Sequence, residues 1–506
     1  MSDVDEEIEL ATESEIRGWY LYDWANSPYY QVYVSVLMPI LLKWYAEGVA
    51  GQIETDNEDA LLVPIGNNTD SNSTDALLPY FGIPAGSYPP LVNWVTIFVQ
   101  TVCLLSFSSF GDYGDRRLQL LKIFTYLGAF ILFLHIFLWS SSAWLWAGLF
   151  RIVVGVLFVL AGVYYNAYLP LLAAAHEDTQ GLEGEELEQA IVEKSDDMSS
   201  KGFVSGYAGG LAMIVVSTVI LSIYECDRSV EGSCKSQFDI FFWPNLCIAI
   251  VAVWWAGFAS ISFCRLRTRP GEPFPSGANM LCLGWTDTCE TLCFVTGYPN
   301  TFRYLLGFML WSDGLNTITS IAGLLLEESG NSSLKGLLIA ALLGVVAAFL
   351  GTAILLKVQQ CLNSSAKTMI MAVLVLYTVM SVVALNGGVT AFDGFGFYFV
   401  MAPIMLTLGS LQAYSRAIYS SLAPKGREAA MFSFYEITDK GSNLLGAGMT
   451  FLIFTITKSY VNVFWYLIVA FIVSGILLWS VDVEKGRADA LHAEKVEDSE
   501  ASEEDL

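Results

Sequence analysis

The chain has 506 residues, 54% of them apolar and 15% charged, with a mean hydropathy of +0.52. That is the composition of a polytopic membrane protein. The formal charge is −25, but the acids gather in the tails and in the loop 177–197; no basic stripe exists and the aromatics lie in apolar runs, which excludes nucleic-acid binding.

The N-terminus is acidic and has no basic region ahead of its first apolar run, so the first span is expected to direct insertion itself. Thr12 to Glu15 reads T-E-S-E, a capping-box pattern that predicts a helix start. Apolar windows then predict twelve spans, at 19–45, 91–110, 118–139, 143–172, 202–224, 238–264, 302–326, 334–356, 369–386, 394–422, 432–457 and 461–481. They divide into a bundle of six helices at 19–264, with a lumenal loop at 46–90, and a second at 302–481. A cytosolic link at 265–301 joins the bundles, and acidic tails at 1–18 and 482–506 close the chain.

Orientation follows from charge. Fifteen Lys and Arg in the connecting segments fall on the side that holds both termini and three fall on the other, so the tails are expected in the cytosol. The sequons at Asn67, Asn72 and Asn331 fall on the opposite, lumenal side and are expected to accept glycans, whereas Asn363 falls inside. The nine cysteines show no metal-binding spacing. Cys226 and Cys234 share a short lumenal loop, where a disulfide and two free thiols both remain open.

The first run contains R-G-W-Y-L-Y-D-W-A-N-S-P-Y-Y, from Arg17 to Tyr30, which sets Asp23 and Asn26 in what should be hydrocarbon. An ionisable group there is costly and usually faces a bundle interior or a water-filled path. The seventh run repeats the device in L-W-S-D-G-L-N-T, with Asp313 and Asn316 at the same spacing of three. K-G-F-V-S-G-Y-A-G-G from Lys201 in span 5 answers K-G-S-N-L-L-G-A-G from Lys440 in span 11, each with an acid four residues earlier, Asp197 and Glu436. Y-N-A-Y-L-P in span 4 answers S-R-A-I-Y-S-S-L-A-P in span 10. Spans 1, 4 and 5 thus pair with 7, 10 and 11, the offset of a six-plus-six transporter.

G-D-Y-G-D-R-R, between spans 2 and 3, resembles the signature turn of the major facilitator superfamily at Gly111, Asp115 and Arg116. G-W-Y-L-Y-D-W-A-N-S-P-Y, that turn, N-A-Y-L-P, S-S-K-G-F-V-S-G-Y-A-G-G, S-D-G-L-N-T and G-S-L-Q-A-Y-S-R-A-I-Y-S-S-L-A-P, six blocks in chain order, resemble the autophagy-related vacuolar amino-acid effluxers. The resemblance implies an all-α membrane protein of the major facilitator fold, with twelve transmembrane helices in two pseudo-symmetric bundles. It implies export of amino acids from a vacuole or lysosome-like lumen to the cytosol, with the plasma membrane as an alternative location. No cofactor or metal is expected, nor catalysis; the expected partners are a small-molecule substrate, protons and the bilayer, and the expected state is a monomer.

Asp23 and Asp313 are candidates for carrying protons or binding a substrate ammonium; packing carboxylates would look the same in sequence. Asn26 and Asn316 could meet a substrate carboxylate or bond a neighbouring helix. Arg151, some eight residues into span 4, is the cation placed to meet an anion within the bundle. Arg416, Glu436 and Lys440, with Gly111, Asp115 and Arg116, are candidates for a cytosolic gate. His135 and His176 read as isolated. A polytopic enzyme is disfavoured because the one sizeable lumenal loop holds Glu54, Asp56, Glu58 and Asp59 without a His, Arg or nucleophile. A carrier for another small solute, or a nutrient sensor on a transporter fold, remains open.

Overall fold

The computed structural model describes residues 10–55, 77–107, 116–182, 184–224, 236–269, 280–329, 334–392, 395–422 and 428–488. The predicted loop sequons Asn67, Asn72 and Asn331, the cysteines Cys226 and Cys234, and Gly111 and Asp115 of the signature turn lie outside the described residues. The side chains of Glu436 and Lys440 do too.

The described residues are almost wholly helical. In chain order the α-helices are α1 Glu13–Pro28, α2 Met38–Thr55, α3 Tyr88–Phe107, α4 Arg117–Phe133, α5 Trp144–Asn166, α6 Tyr168–Ala174, α7 Glu185–Tyr224 and α8 Gln237–Phe263. They continue with α9 Met280–Thr296, α10 Pro299–Glu328, α11 Leu334–Leu362, α12 Ala366–Gly387, α13 Phe395–Leu422, α14 Glu428–Thr457 and α15 Val463–Ser480. A π-helical segment, Tyr29–Leu37, joins α1 to α2 without a break. Every predicted apolar window overlaps one of these helices.

Ten helical stretches among the described residues are long and apolar enough to cross a membrane. The two other predicted spans are helices of different character: α10 carries Arg303, Asp313, Glu327 and Glu328, and the apolar part of α14, Gly441–Thr457, is short. The segment read as a plain cytosolic link contains α9, whose apolar residues are too few to have registered as a span.

Helix α1 starts where the sequence predicts. Thr12 caps it, its Oγ1 accepting the Glu15 N–H at 3.3 Å, a contact of the kind worth about 1 kcal/mol. The reciprocal half of the capping box is not made. The Glu15 side chain is fully buried and instead takes two bonds from Arg269, at 3.0 and 2.9 Å. A bidentate guanidinium–carboxylate pair thus fastens the chain beyond α8 to the start of α1.

The chain forms two compact units, one of residues 1–38, 99–225 and 237–285 and the other of residues 39–98, 226–236 and 286–506. In the first, α1 packs along α7 and α8, and α4 packs on α5 and α8. In the second, α10 packs along α14 and α15, and α12 packs on α13 and α15. The same pairing order therefore recurs inside each unit, as the repeated sequence blocks require.

Small residues set the close approaches. Added side-chain carbon at Gly351 of α11 would strike the Leu406 backbone of α13, and at Gly409 would strike Thr352. In lipid, where no hydrophobic drive brings helices together, such contacts carry the association.

Candidate functional site

In the first unit the site begins with a proline. Pro28 has no N–H to give the Trp24 carbonyl one turn back, so that carbonyl must be satisfied from outside the helix. The indole Nε1–H of Trp254, on α8, donates to it at 3.1 Å. The glycine stripe of α7 lies along the other flank of α1: a Cβ at Gly202 would meet Asp23 at 2.7 Å, at Gly206 Ser27 at 2.5 Å, and at Gly209 and Gly210 the Trp24 carbonyl and the Gln31 amide. The K-G-F-V-S-G-Y-A-G-G block therefore supplies a side-chain-free groove that seats the D-W-A-N-S-P block.

Asp23 is half-buried there, close to Tyr165. Tyr165, from the Y-Y-N-A-Y-L-P stretch, donates its hydroxyl proton to the Trp19 carbonyl at 3.2 Å and stacks on the Trp19 indole at 4.7 Å. Asn26 is likewise half-buried. Three of the sequence blocks thus converge on one carboxylate.

Arg151 is buried and donates to the Tyr29 hydroxyl at 3.4 Å; among the described residues it forms no ion pair. Next to Tyr29 stands Tyr33, whose hydroxyl bonds His135 Nε2 at 3.1 Å, and the other ring nitrogen of His135 bonds the Leu132 carbonyl at 3.0 Å. His135 is fully buried in this cluster, which corrects its reading as an isolated residue. His176 is also engaged, accepting the Asp178 N–H at 3.1 Å. Arg151 and Tyr165 are fourteen residues apart on one helix, which is about 21 Å of rise. Arg151 and Asp23 consequently cannot hold the two ends of a single amino-acid zwitterion in this conformation.

In the second unit Asp313 is fully buried on α10. Its Oδ1 accepts the Gly446 N–H of α14 at 2.9 Å and its Oδ2 accepts the Tyr466 hydroxyl of α15. A Cβ at Gly446 would lie 2.6 Å from Oδ1, so the bare backbone is what lets the carboxylate in. The two halves differ in register: Asp23 faces the glycine directly after Lys201, whereas Asp313 faces Gly446, six residues beyond Lys440. Asn316, half-buried, donates to Ser312 Oγ at 3.4 Å, and the Ser312 hydroxyl donates to Asp439. Asp439 was not singled out by sequence; it directly precedes the lysine of the repeated block.

Another charged cluster escaped the sequence reading. Lys43 Nζ lies 2.8 Å from Glu327 Oε2 and 3.8 Å from Glu47 Oε1, all three nearly inaccessible, and Trp44 Nε1 donates to Glu327 at 2.6 Å. Glu328 beside it accepts the Tyr460 N–H at 3.2 Å. The signal was there in Lys43 and Glu47, a cation and an acid four apart inside the first apolar helix.

Of the gate candidates, Arg116 is exposed at the start of α4, and Arg416 is exposed on α13. The next residue, Arg117, is buried, and its guanidinium sits 5.8 Å from the Tyr168 ring centre. Tyr168 in turn donates to the Arg267 carbonyl at 3.1 Å. The predicted Asp197–Lys201 turn forms an exposed ion pair of 2.7 Å.

Helices arranged this way, with one pairing order repeated in each unit, have the major facilitator fold. Solved structures of that fold match almost end to end: the nucleoside transporter NupG, with a TM-score of 0.59 at 11% identity over 92% of this chain and 99% of that one, and a D-xylose-proton symporter, at 0.55 and 11% over 90% and 98%. The chain belongs to the vacuole effluxer family, Atg22 like, whose model matches residues 11–491. Among its relatives are autophagy-related protein 22-1 of Phaeosphaeria nodorum, 25% identical with 96% of this chain and 93% of that protein aligned, and autophagy-related protein 22 of Yarrowia lipolytica, 25% identical with 97% and 100% aligned. It is a multi-span membrane transporter.

Proposed function

We propose that the protein moves amino acids from a vacuolar or lysosome-like lumen to the cytosol by alternating access, with protons exchanged at its membrane-embedded carboxylates. The observation that carries this reading is the recurrence, once in each unit, of an Asp inside an apolar helix, set beside a tyrosine and closed in by a glycine. Packing alone needs no ionisable group at either place, and a carboxylate kept in hydrocarbon is most economically explained by a cationic or protonic ligand. Arg151, set apart from Asp23 along α5, serves a different step from ammonium binding. On this reading both termini face the cytosol, and the turn around Asp115 and Arg116 closes the cytosolic side together with Arg416, Glu436 and Lys440.

Purified protein in liposomes loaded with labelled leucine, with and without an inside-acid gradient, tests it. Gradient-stimulated efflux that Asp23→Asn uncouples while exchange persists is the expected result. Wild-type rates for Asp23→Asn and Asp313→Asn alike, at every pH, would remove both carboxylates from the transport cycle.

A further inference from the structure

Arg269 is paired with Glu15, and Lys43 with Glu327 and Glu47. Arg151 is buried too, yet no acid meets it among the described residues; its one hydrogen bond goes to the Tyr29 hydroxyl, at 3.4 Å. A guanidinium stays protonated, so unlike a lysine it cannot shed its charge. Nor does it reach for the interface. Its tip is tied to Tyr29, ten residues into the first apolar run, about 15 Å along the helix and so near the middle of a hydrocarbon core. A charge buried there needs a counter-charge, and the chain does not supply one.

The hydroxyl beside it is also half-used. Tyr29 accepts from Arg151, and its own proton has no acceptor among the described residues. Its ring is held in place, stacked on Phe158 at 4.1 Å and flanked by Trp255 at 5.8 Å. Tyr33 is already spent. Uncharged His135 keeps its proton on Nδ1, because the Leu132 carbonyl it faces can only accept, and its Nε2 then takes the Tyr33 hydroxyl proton. The other guanidinium nitrogens of Arg151 are neither bonded within the described residues nor sealed in. What stands open is one fixed positive charge with N–H groups to spare and a phenolic O–H next to it.

We infer that Arg151 and Tyr29 form the seat of the transported solute's carboxylate. A carboxylate is planar, carries one negative charge and can take a guanidinium through two parallel hydrogen bonds. Tyr29 then donates to one of its oxygens. A phosphate dianion would bring a second charge that nothing in the cluster balances. The empty seat holds an uncompensated charge that a bound carboxylate cancels. This rests on the amino-acid reading given above and adds which end of the solute is held on α5.

Thermal unfolding of the full-length protein in detergent and chloride-free buffer tests the seat apart from transport. The probes are leucine, leucinamide, which lacks the carboxylate, and isocaproate, which lacks the amine. Leucine and isocaproate should raise the wild-type midpoint, and leucinamide should not. Arg151→Gln should unfold no earlier than the wild type without ligand, because no partner is stranded, and should bind the carboxylates about a hundredfold more weakly; Tyr29→Phe should cost about tenfold. Stabilisation by leucinamide, or by a carboxylate undiminished in Arg151→Gln, would overturn the seat. So would an unliganded Arg151→Gln that unfolds much earlier, or a shift given by chloride and by no carboxylate. If isocaproate stabilises through Arg151 while leucine neither binds nor leaves liposomes, the seat stands and the amino-acid reading falls. If no carboxylate shifts the midpoint the seat falls, and leucine efflux then decides the amino-acid reading separately.

Discussion

The Asp313 carboxylate is held by the backbone N–H of Gly446, 2.9 Å away, from a helix that begins more than a hundred residues later in the chain. The contact exists because position 446 has no side chain. Gly446→Ala would press a methyl against both Asp313 oxygens and Thr317, and overpacking of that kind costs about 1–3 kcal/mol. Gly441→Ala, on the same helix with nothing within 4 Å, should be neutral or stabilise by about 0.5–1 kcal/mol from helix propensity alone. Thermal unfolding of the two variants in detergent checks the contrast; equal melting points would mean the α10–α14 seam is not closed as described.

Glu15 and Arg269 form a pair with the acid fully buried. Removing one partner leaves an uncompensated charge, so Arg269→Met should destabilise by about 3–5 kcal/mol, and Glu15→Gln combined with it should recover much of the loss. A double-mutant cycle on unfolding midpoints measures the coupling.

Lys43 faces Glu47 and Glu327, with Glu328 adjoining. Lys43→Met should therefore be more damaging than Lys43→Met with Glu327→Gln, because the single change leaves several carboxylates without their cation. Folded yield by fluorescence-detected size exclusion ranks the variants, and the reverse order would show that the lysine is not what balances the cluster.

Trp254→Phe should strand the Trp24 carbonyl that Pro28 leaves open, at about 1–3 kcal/mol. Adding Pro28→Ala returns an intrahelical donor to that carbonyl, so the double variant should be more stable than Trp254→Phe alone. Failure of the rescue would mean that the indole acts by packing rather than by its N–H.

Asp178 lies outside the membrane spans, and the hydrogen bond and charge of Lys194 hold its carboxyl below the usual value. A carboxylate lowered in the folded state contributes above its unfolded value and loses that contribution as pH falls through the folded one. The pair should thus survive acidification to about pH 5 unchanged, given an ordinary Asp near 3.9. Compared at pH 7 after correction for intrinsic rate, hydrogen exchange around 176–179 should be faster in Asp178→Asn than in the wild type.

The spans were legible because hydrocarbon demands long apolar runs, and the Thr12 cap because its pattern is local. The repeated D-x-x-N units were legible as positions but not as structures. Asp313 meets Gly446 of a partner helix that no window along the chain contains, while Asn316 meets Ser312 one turn back on its own helix. Arg117 was overlooked beside Arg116 because adjacent residues on a helix point in different directions, and only packing against Tyr168 reveals which one turns inward. The Lys43 cluster depends on Glu327, 284 residues away.

Between Asp23 and Lys43 the helix passes through the nine π-helical residues Tyr29–Leu37. Each turn there takes up more residues than an α-turn, so the angular phase of everything beyond it is retarded. A wheel drawn at even steps from Asp23 misplaces the side chains of the π-helical residues themselves. Conversion of that stretch to α-helix would turn the side chains beyond it about the helix axis while the sequence stayed the same, and would lengthen the segment at the same time. The segment is a torsional element, and a single-residue deletion within 29–37 reports on it: in an ordinary α-helix such a deletion scrambles every downstream contact, whereas here the surplus winding can absorb it.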